Sequence, residues 1–199
     1  MQRIFLVFLL FTIVLVAGAL VYFARIIAEQ PEPVVAVAVA PEIVQYPTFT
    51  INDIDGNPRD FSEWDGRHRL LNFWATWCAP CRREIPLLKE FQAEQGDDGI
   101  LIMGIAVDFP EEVTAYAEAA EFNYPILVGQ EDAMAIAEST GIQFIAMPFS
   151  MIVSRDGEFL GAYLGELHRS HLDTISDLLG RLDNAEIDTE TVKQELALL

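Results

Sequence analysis

The chain has 199 residues, 52% of them hydrophobic, and carries 12 Lys+Arg against 31 Asp+Glu, a net charge of −19. That length suits one domain plus an appendage. The acidity sets the chain against nucleic acid and anionic lipid headgroups, since every acidic residue lies at or beyond position 29; it serves either solubility or the steering of a basic partner.

Residues 4–24 contain no charged side chain. At about 1.5 Å per residue a helix of that length spans roughly 30 Å, the thickness of a bilayer core. The segment is too long for a signal-peptide apolar core. Ala17-Gly18-Ala19 resembles a cleavage site, but cutting there would leave Leu20-Val21-Tyr22-Phe23 as an apolar terminus. The expectation is an uncleaved transmembrane anchor over 1–27. Residues 28–47 hold Pro31, Pro33, Pro41 and Pro47 among Val and Ala and read as a semi-stiff tether.

A globular part is expected over 48–183. Segments 48–51 and 59–61 flank Asp55-Gly56-Asn57-Pro58, a hairpin turn. The apolar run 69–75 predicts a buried strand and 79–95 the helix after it. Residues 100–107 are almost wholly apolar, as in a parallel strand covered on both faces. Helices are expected over 111–121 and 133–139. A second hairpin, 149–153 with 158–163, turns at Arg155-Asp156-Gly157. Leu172, Ile175, Leu178, Leu179 and Leu182 have the spacing of a core helix over 170–182. Residues 184–199 form an acidic tail with the makings of a short helix. The order βαβα, helix, ββα predicts an α/β fold, a central mixed sheet with helices on both faces.

The two cysteines of the chain stand three apart in Trp77-Cys78-Ala79-Pro80-Cys81, between the buried strand and its helix. Two thiols at that spacing can close and reopen a disulfide. A helix start stabilises a thiolate, so Cys78 is the candidate nucleophile. Cys81, one turn in, is the candidate resolving thiol. Pro80 lacks an N–H and stiffens the intervening loop. A purely structural bridge closing so small a loop would stabilise little. Half of a zinc site would need two further ligands, and only His68, His168 and His171 are at hand, so no metal is expected. A peroxidase would want Thr or Ser three residues before its cysteine, where this chain has Ala75.

Phe73-Trp74-Ala75-Thr76-Trp77-Cys78-Ala79-Pro80-Cys81 resembles the active-site segment of the thioredoxin superfamily. With Arg82-Arg83-Glu84-Ile85-Pro86 added, it is most similar to the TlpA/ResA-like branch of membrane-anchored thiol–disulfide oxidoreductases, over roughly 45–183. The resemblance implies a thioredoxin-like fold with an extra N-terminal β-hairpin. It implies catalysis by the cysteine pair itself, with no other cofactor. Pro86 matches the proline that kinks the active-site helix. Asn72 stands where thioredoxins proper carry a titrating Asp, so that proton route is absent. Glu84 matches a carboxylate thought to tune the thiols in this branch; the plainer alternative is an ordinary first-turn Glu. Pro148 matches the cis-proline facing the cysteines, and Met147 the edge that pairs with substrate backbone. Trp77, Pro80, Met147 and Pro148 are the candidate substrate-binding residues. Phe149, where a small or hydroxyl residue is common, either narrows that groove or belongs to the core. The implied partners are disulfide-containing proteins, such as apocytochrome c or copper-assembly proteins, and a membrane thiol transporter as electron donor. The implied location is the inner membrane, with the domain facing the periplasm.

Overall fold

The computed structural model describes residues 45–96 and 98–199. The expected anchor at 1–27 and the tether as far as residue 44 lie outside the described residues. Among the described residues no helix is long and apolar enough to cross a membrane.

The hairpin of β1 (Thr50–Asp53) and β2 (Pro58–Asp60) turns through Gly56 at φ 81°, where a Cβ would be strained. The Asp53 carboxylate holds the turn by accepting the amides of Asp55 and Asn57. There follow β3 (Arg69–Trp74), α1 (Ala79–Gln95), β4 (Leu101–Val107), α2 (Pro110–Ala120), β5 (Ile126–Gly129), α3 (Glu131–Glu138), β6 (Phe149–Val153), β7 (Phe159–Leu164), α4 (Arg169–Asp183) and α5 (Thr189–Leu196). The seven strands make one mixed sheet in the order β2-β1-β5-β4-β3-β6-β7. β3, β4 and β5 run parallel, and the other pairings are antiparallel.

β5 is an addition to the expected order. Ile126-Leu127-Val128-Gly129 is too short to show a period, yet it fills the gap between β4 and the N-terminal hairpin. It joins what would otherwise be two separate sheets.

Side chains alternate across β3, as a strand requires. Leu70 and Trp74 meet the face covered by α1, α2, α4 and α5. Leu71 and Phe73 meet the face covered by α3, Tyr46, Ile51 and Phe61. Arg69 is fully buried at the start of the strand. Its guanidinium pairs with Asp65, donates to the Ser154 carbonyl and lies 4.4 Å from the centre of the Phe61 ring, so the charge is compensated.

Both ends of the domain reach past the expected limits. Within the supposed tether, Tyr46 is buried, its amide donates to the Gly157 carbonyl at 2.8 Å, and its hydroxyl donates to the Ile136 carbonyl. In the C-terminal tail, α5 is capped by Asp188 and buries Val192 and Leu196. Leu196 packs where Gly161 leaves room on β7, and Lys193 pairs with Glu158. The acidic tail is therefore part of the packed domain.

Gly104, in the middle of β4, marks the tightest packing near the site. A Cβ there would lie 2.6 Å from Ile126 Cδ1, 3.1 Å from Trp74 Nε1 and 3.3 Å from Tyr124 Cε2. Gly104→Val is expected to cost about 3 kcal/mol, because three packed side chains would have to shift together. A denaturant midpoint unchanged from the parent chain would contradict this.

Candidate active site

β3 ends at Trp74, and after the equally buried Ala75 the chain turns out to Cys78. The Cys78 amide donates to the Ala75 carbonyl at 3.1 Å, which closes the turn. A second brace comes from β4. The Thr76 amide and hydroxyl donate to one oxygen of Asp108, at 2.9 and 2.6 Å, and the Phe109 amide donates to the other at 2.9 Å. One buried carboxylate thus ties the loop before Cys78 to the loop that opens α2. Sequence reading passed over Asp108; its one signal is an acid at the end of an apolar strand, just ahead of Phe109-Pro110.

Cys78 is the N-cap of α1, with Pro80 in the first turn. The Cys81 amide donates to Cys78 Sγ at 3.3 Å. The two cysteines are joined in a disulfide, with Cα atoms 5.3 Å apart. Cys78 is 5% exposed and Cys81 0%, so an incoming sulfur has access to Cys78 alone. The Cys81 amide aimed at Cys78 Sγ, at the positive end of the helix, favours its thiolate once the bridge opens. Trp77 beside it is 68% exposed.

Pro148 is buried and follows a cis Met147–Pro148 bond. The Phe73–Phe149 register of β3 and β6 sets it against the residues that lead to Cys78. The Gly165 amide donates to the Pro148 carbonyl at 2.9 Å, fixing the loop after β7 to the same place. Met147 packs on the cluster that includes both cysteines. Phe149 is core: it is buried against Phe73 and Phe144 with ring centroids 5.7 and 5.8 Å away. It does not line a groove.

Glu84 sits on the buried face of α1, three residues after Cys81, and is 1% exposed. Asn72 on β3 donates to its Oε1 at 2.8 Å, and the Leu167 amide donates to its Oε2 at 2.6 Å. Burial pushes its pKa up to about 7, against the lowering effect of those two donors; the charge of Glu166 adds to the rise. This is no ordinary first-turn Glu, which would be solvated. The Leu167 amide, a backbone group, leaves no mark in the sequence. Beside Glu84, Arg83 pairs with Glu166, so two consecutive α1 residues grip the loop between β7 and α4.

Four of the six exposed large hydrophobic side chains among the described residues are Trp77, Phe109, Ile145 and Leu164. They lie on the segments that carry Cys78, Asp108, the cis-proline and the end of β7. Exposed apolar side chains gathered at one edge suit contact with another polypeptide. Elsewhere, His68 is buried at the far end of β3, held by Asp183 at 2.9 Å and by the Arg155 amide. Among the described residues no group of His, Cys, Asp or Glu side chains is placed to hold a metal ion.

A family model described as AhpC/TSA family matches residues 44–159. The thiol-disulfide oxidoreductase ResA of Geobacillus kaustophilus is 28% identical, over 65% of this chain and 75% of its own. The thioredoxin-like protein YneN of Bacillus subtilis is 27% identical, over 67% of this chain and 78% of its own. Among solved structures, a thiol:disulfide interchange protein of the thioredoxin family from Chlorobium tepidum superposes with a TM-score of 0.62 at 26% identity. That superposition covers 68% of this chain and 95% of the other, so the fold is thioredoxin-like throughout the shared domain.

Proposed function

The chain belongs to the AhpC/TSA family and is a thiol–disulfide oxidoreductase, and from that basis we propose that it reduces disulfides of partner proteins from a membrane-tethered position outside the cytoplasm. The observation that carries the reading is the disulfide at the start of α1, with only Cys78 open to attack and Glu84 buried one turn beyond Cys81.

The electrons pass through the cysteine pair alone, and Glu84 takes part as a proton acceptor. In the reduced protein the Cys78 thiolate attacks a partner disulfide. One Cys78–partner S–S bond forms, the partner bond breaks, and the departing thiolate takes a proton from water. The Cys81 thiol passes its proton to the Glu84 carboxylate, and the resulting thiolate attacks Cys78 Sγ. The Cys78–Cys81 bond forms and the second partner sulfur leaves as a thiolate. Two electrons pass to the partner. A dithiol donor then reopens the bridge; an apolar 21-residue stretch such as 4–24 would hold the domain beside a membrane thiol transporter able to do so.

The substrate is a disulfide of a folded or extended polypeptide rather than a small-molecule disulfide. The apolar rim of Trp77, Phe109, Ile145 and Leu164 supports this, as does the cis-proline edge at Met147. Disulfides of apocytochrome c before haem attachment, or of copper-site assembly proteins, fit that description. A peroxidase reading has less support here, because Ala75 offers no hydroxyl three residues before Cys78.

One experiment separates the two. The full-length protein in detergent, reduced and freed of reductant, is mixed either with a protein disulfide or with hydrogen peroxide. The Cys78–Cys81 bridge is expected to re-form at least about tenfold faster with the protein disulfide. Faster oxidation by peroxide would replace the reductase reading with the peroxidase one.

A further inference from the structure

Glu84 does not stand alone in the core. It is the centre of a buried polar chain that joins two strands, a helix and a loop. Ser150 on β6 faces Asn72 on β3 in the sheet register. The Asn72 amide donates one N–H to Ser150 Oγ at 3.1 Å and the other to Glu84 Oε1 at 2.8 Å. Both hydrogens of the amide are thereby used, and its orientation is fixed. Glu84 Oε2 meets the Leu167 amide. Asn72, Ser150 and Leu167 are all buried, each 1% exposed or less, so no water competes for these bonds.

The chemistry of this arrangement is one-sided. An amide N–H can only donate, and so can a backbone N–H. Both carboxyl oxygens of Glu84 therefore face donors, a setting made for the ionised form. The apolar surroundings oppose that form. Asn72 is placed to offset them, and in a direction fixed by its second bond to Ser150.

We propose that Asn72 is a positioning residue for the reaction: its amide, locked by Ser150, holds the Glu84 carboxylate ready to take the proton of Cys81. The proposal rests on the functional reading above and deepens it. The position that cannot titrate thereby sets how readily its neighbour does.

The groups that face Glu84 from the surrounding elements bear on the same titration. Tyr124, ahead of β5, has its buried phenol held above its ordinary range, in part by the Glu84 charge. Glu166 on the loop before α4 opposes ionisation of Glu84, although Arg83 engages its carboxylate. Cys81, one turn earlier on α1, completes the set. Among the described residues no cation makes a bond to Glu84, so the two N–H donors carry its stabilisation.

The test reads the pH dependence of the resolving step when the reduced full-length protein is mixed with the small aromatic disulfide 5,5′-dithiobis(2-nitrobenzoate): the second thionitrobenzoate is released as Cys81 attacks Cys78, a signal that needs no protein substrate. In Asn72→Ser, the inflection is expected to move up by about one pH unit, because the carboxylate has lost a donor and holds a proton more tightly. Asn72→Asp keeps the shape of the side chain and gives the answer should the serine variant fail to fold. A second carboxyl beside Glu84 is likewise expected to raise the inflection. In a Glu84→Gln background, Asn72→Ser is expected to produce no further change. An inflection that stays at its original pH in the folded Asn72 variants overturns the proposal. So does a shift that persists without Glu84, since Asn72 would then act on the thiols directly. Failure of the functional reading looks different: the shifts in thionitrobenzoate release occur, and no protein disulfide is reduced.

Discussion

Cys81→Ser is expected to arrest the reaction half-way, with the protein held to its partner through a Cys78–partner disulfide. Cys78 retains everything it needs for the first step: its place at the start of α1, the amide of residue 81 aimed at its sulfur, and access from outside. The second step has lost its nucleophile, so turnover of a protein disulfide should fall by about 10³-fold or more. Non-reducing electrophoresis after mixing with oxidised partner would show the adduct, and added dithiothreitol would release it. Cys78→Ser should show neither turnover nor adduct, because Cys81 is fully buried beneath it. An adduct in Cys78→Ser and none in Cys81→Ser would reverse the two roles. The fold itself should survive either change, since a bridge across three residues restrains little of the unfolded chain.

The parts of this molecule legible in its sequence are those with a local signal. The strand at 69–74, the cysteine pair and the helix after it follow from an apolar run meeting helix-start chemistry. The second hairpin follows from Arg155-Asp156-Gly157, and α4 from its 3.6-residue spacing. The parts that escaped are held by distant partners. β5 is four residues long and exists because β4 and β1 each offer it an edge. Tyr46 sits in a Val/Ala/Pro-rich stretch, and bonds to the Gly157 and Ile136 carbonyls, 90 or more residues away, together with the Phe61 and Phe159 rings, make it part of the domain. Phe149 resolves to core because Phe73 and Phe144 close around it. At the site, a family pattern pointed to Glu84 and a titration argument dismissed Asn72. Neither could show that the two touch, because contact between β3 and α1 depends on how the helix lies across the sheet. Asp108 and the Leu167 amide carry no motif, since their work is to fix loops rather than to react.

Glu84→Gln is expected to slow the resolving step by about 10²-fold near neutral pH, the contribution of a well-placed general base. With a pKa near 7, the wild-type carboxyl is about half ionised in neutral solution and can accept the Cys81 proton there. Gln cannot, so Cys81 must lose its proton to water. The rate of release of partner from the Cys78 adduct should therefore rise through pH 7 in the wild type. In the variant that rise should move toward the range of an ordinary thiol, about pH 8.5. The same shift has a stability consequence with a definite sign. Folding raises the Glu84 pKa from 4.5 to about 7, so the folded state binds a proton more tightly than the unfolded one. The contribution is complete below about pH 4.5 and is lost as pH rises through 7, for a total of roughly 3 kcal/mol. The oxidised protein should thus lose part of its stability between those two pH values. Glu84→Gln should remove that slope, its stability gaining on the wild type as pH rises. A side chain that merely filled space at position 84 would leave both the release profile and the stability slope where they are.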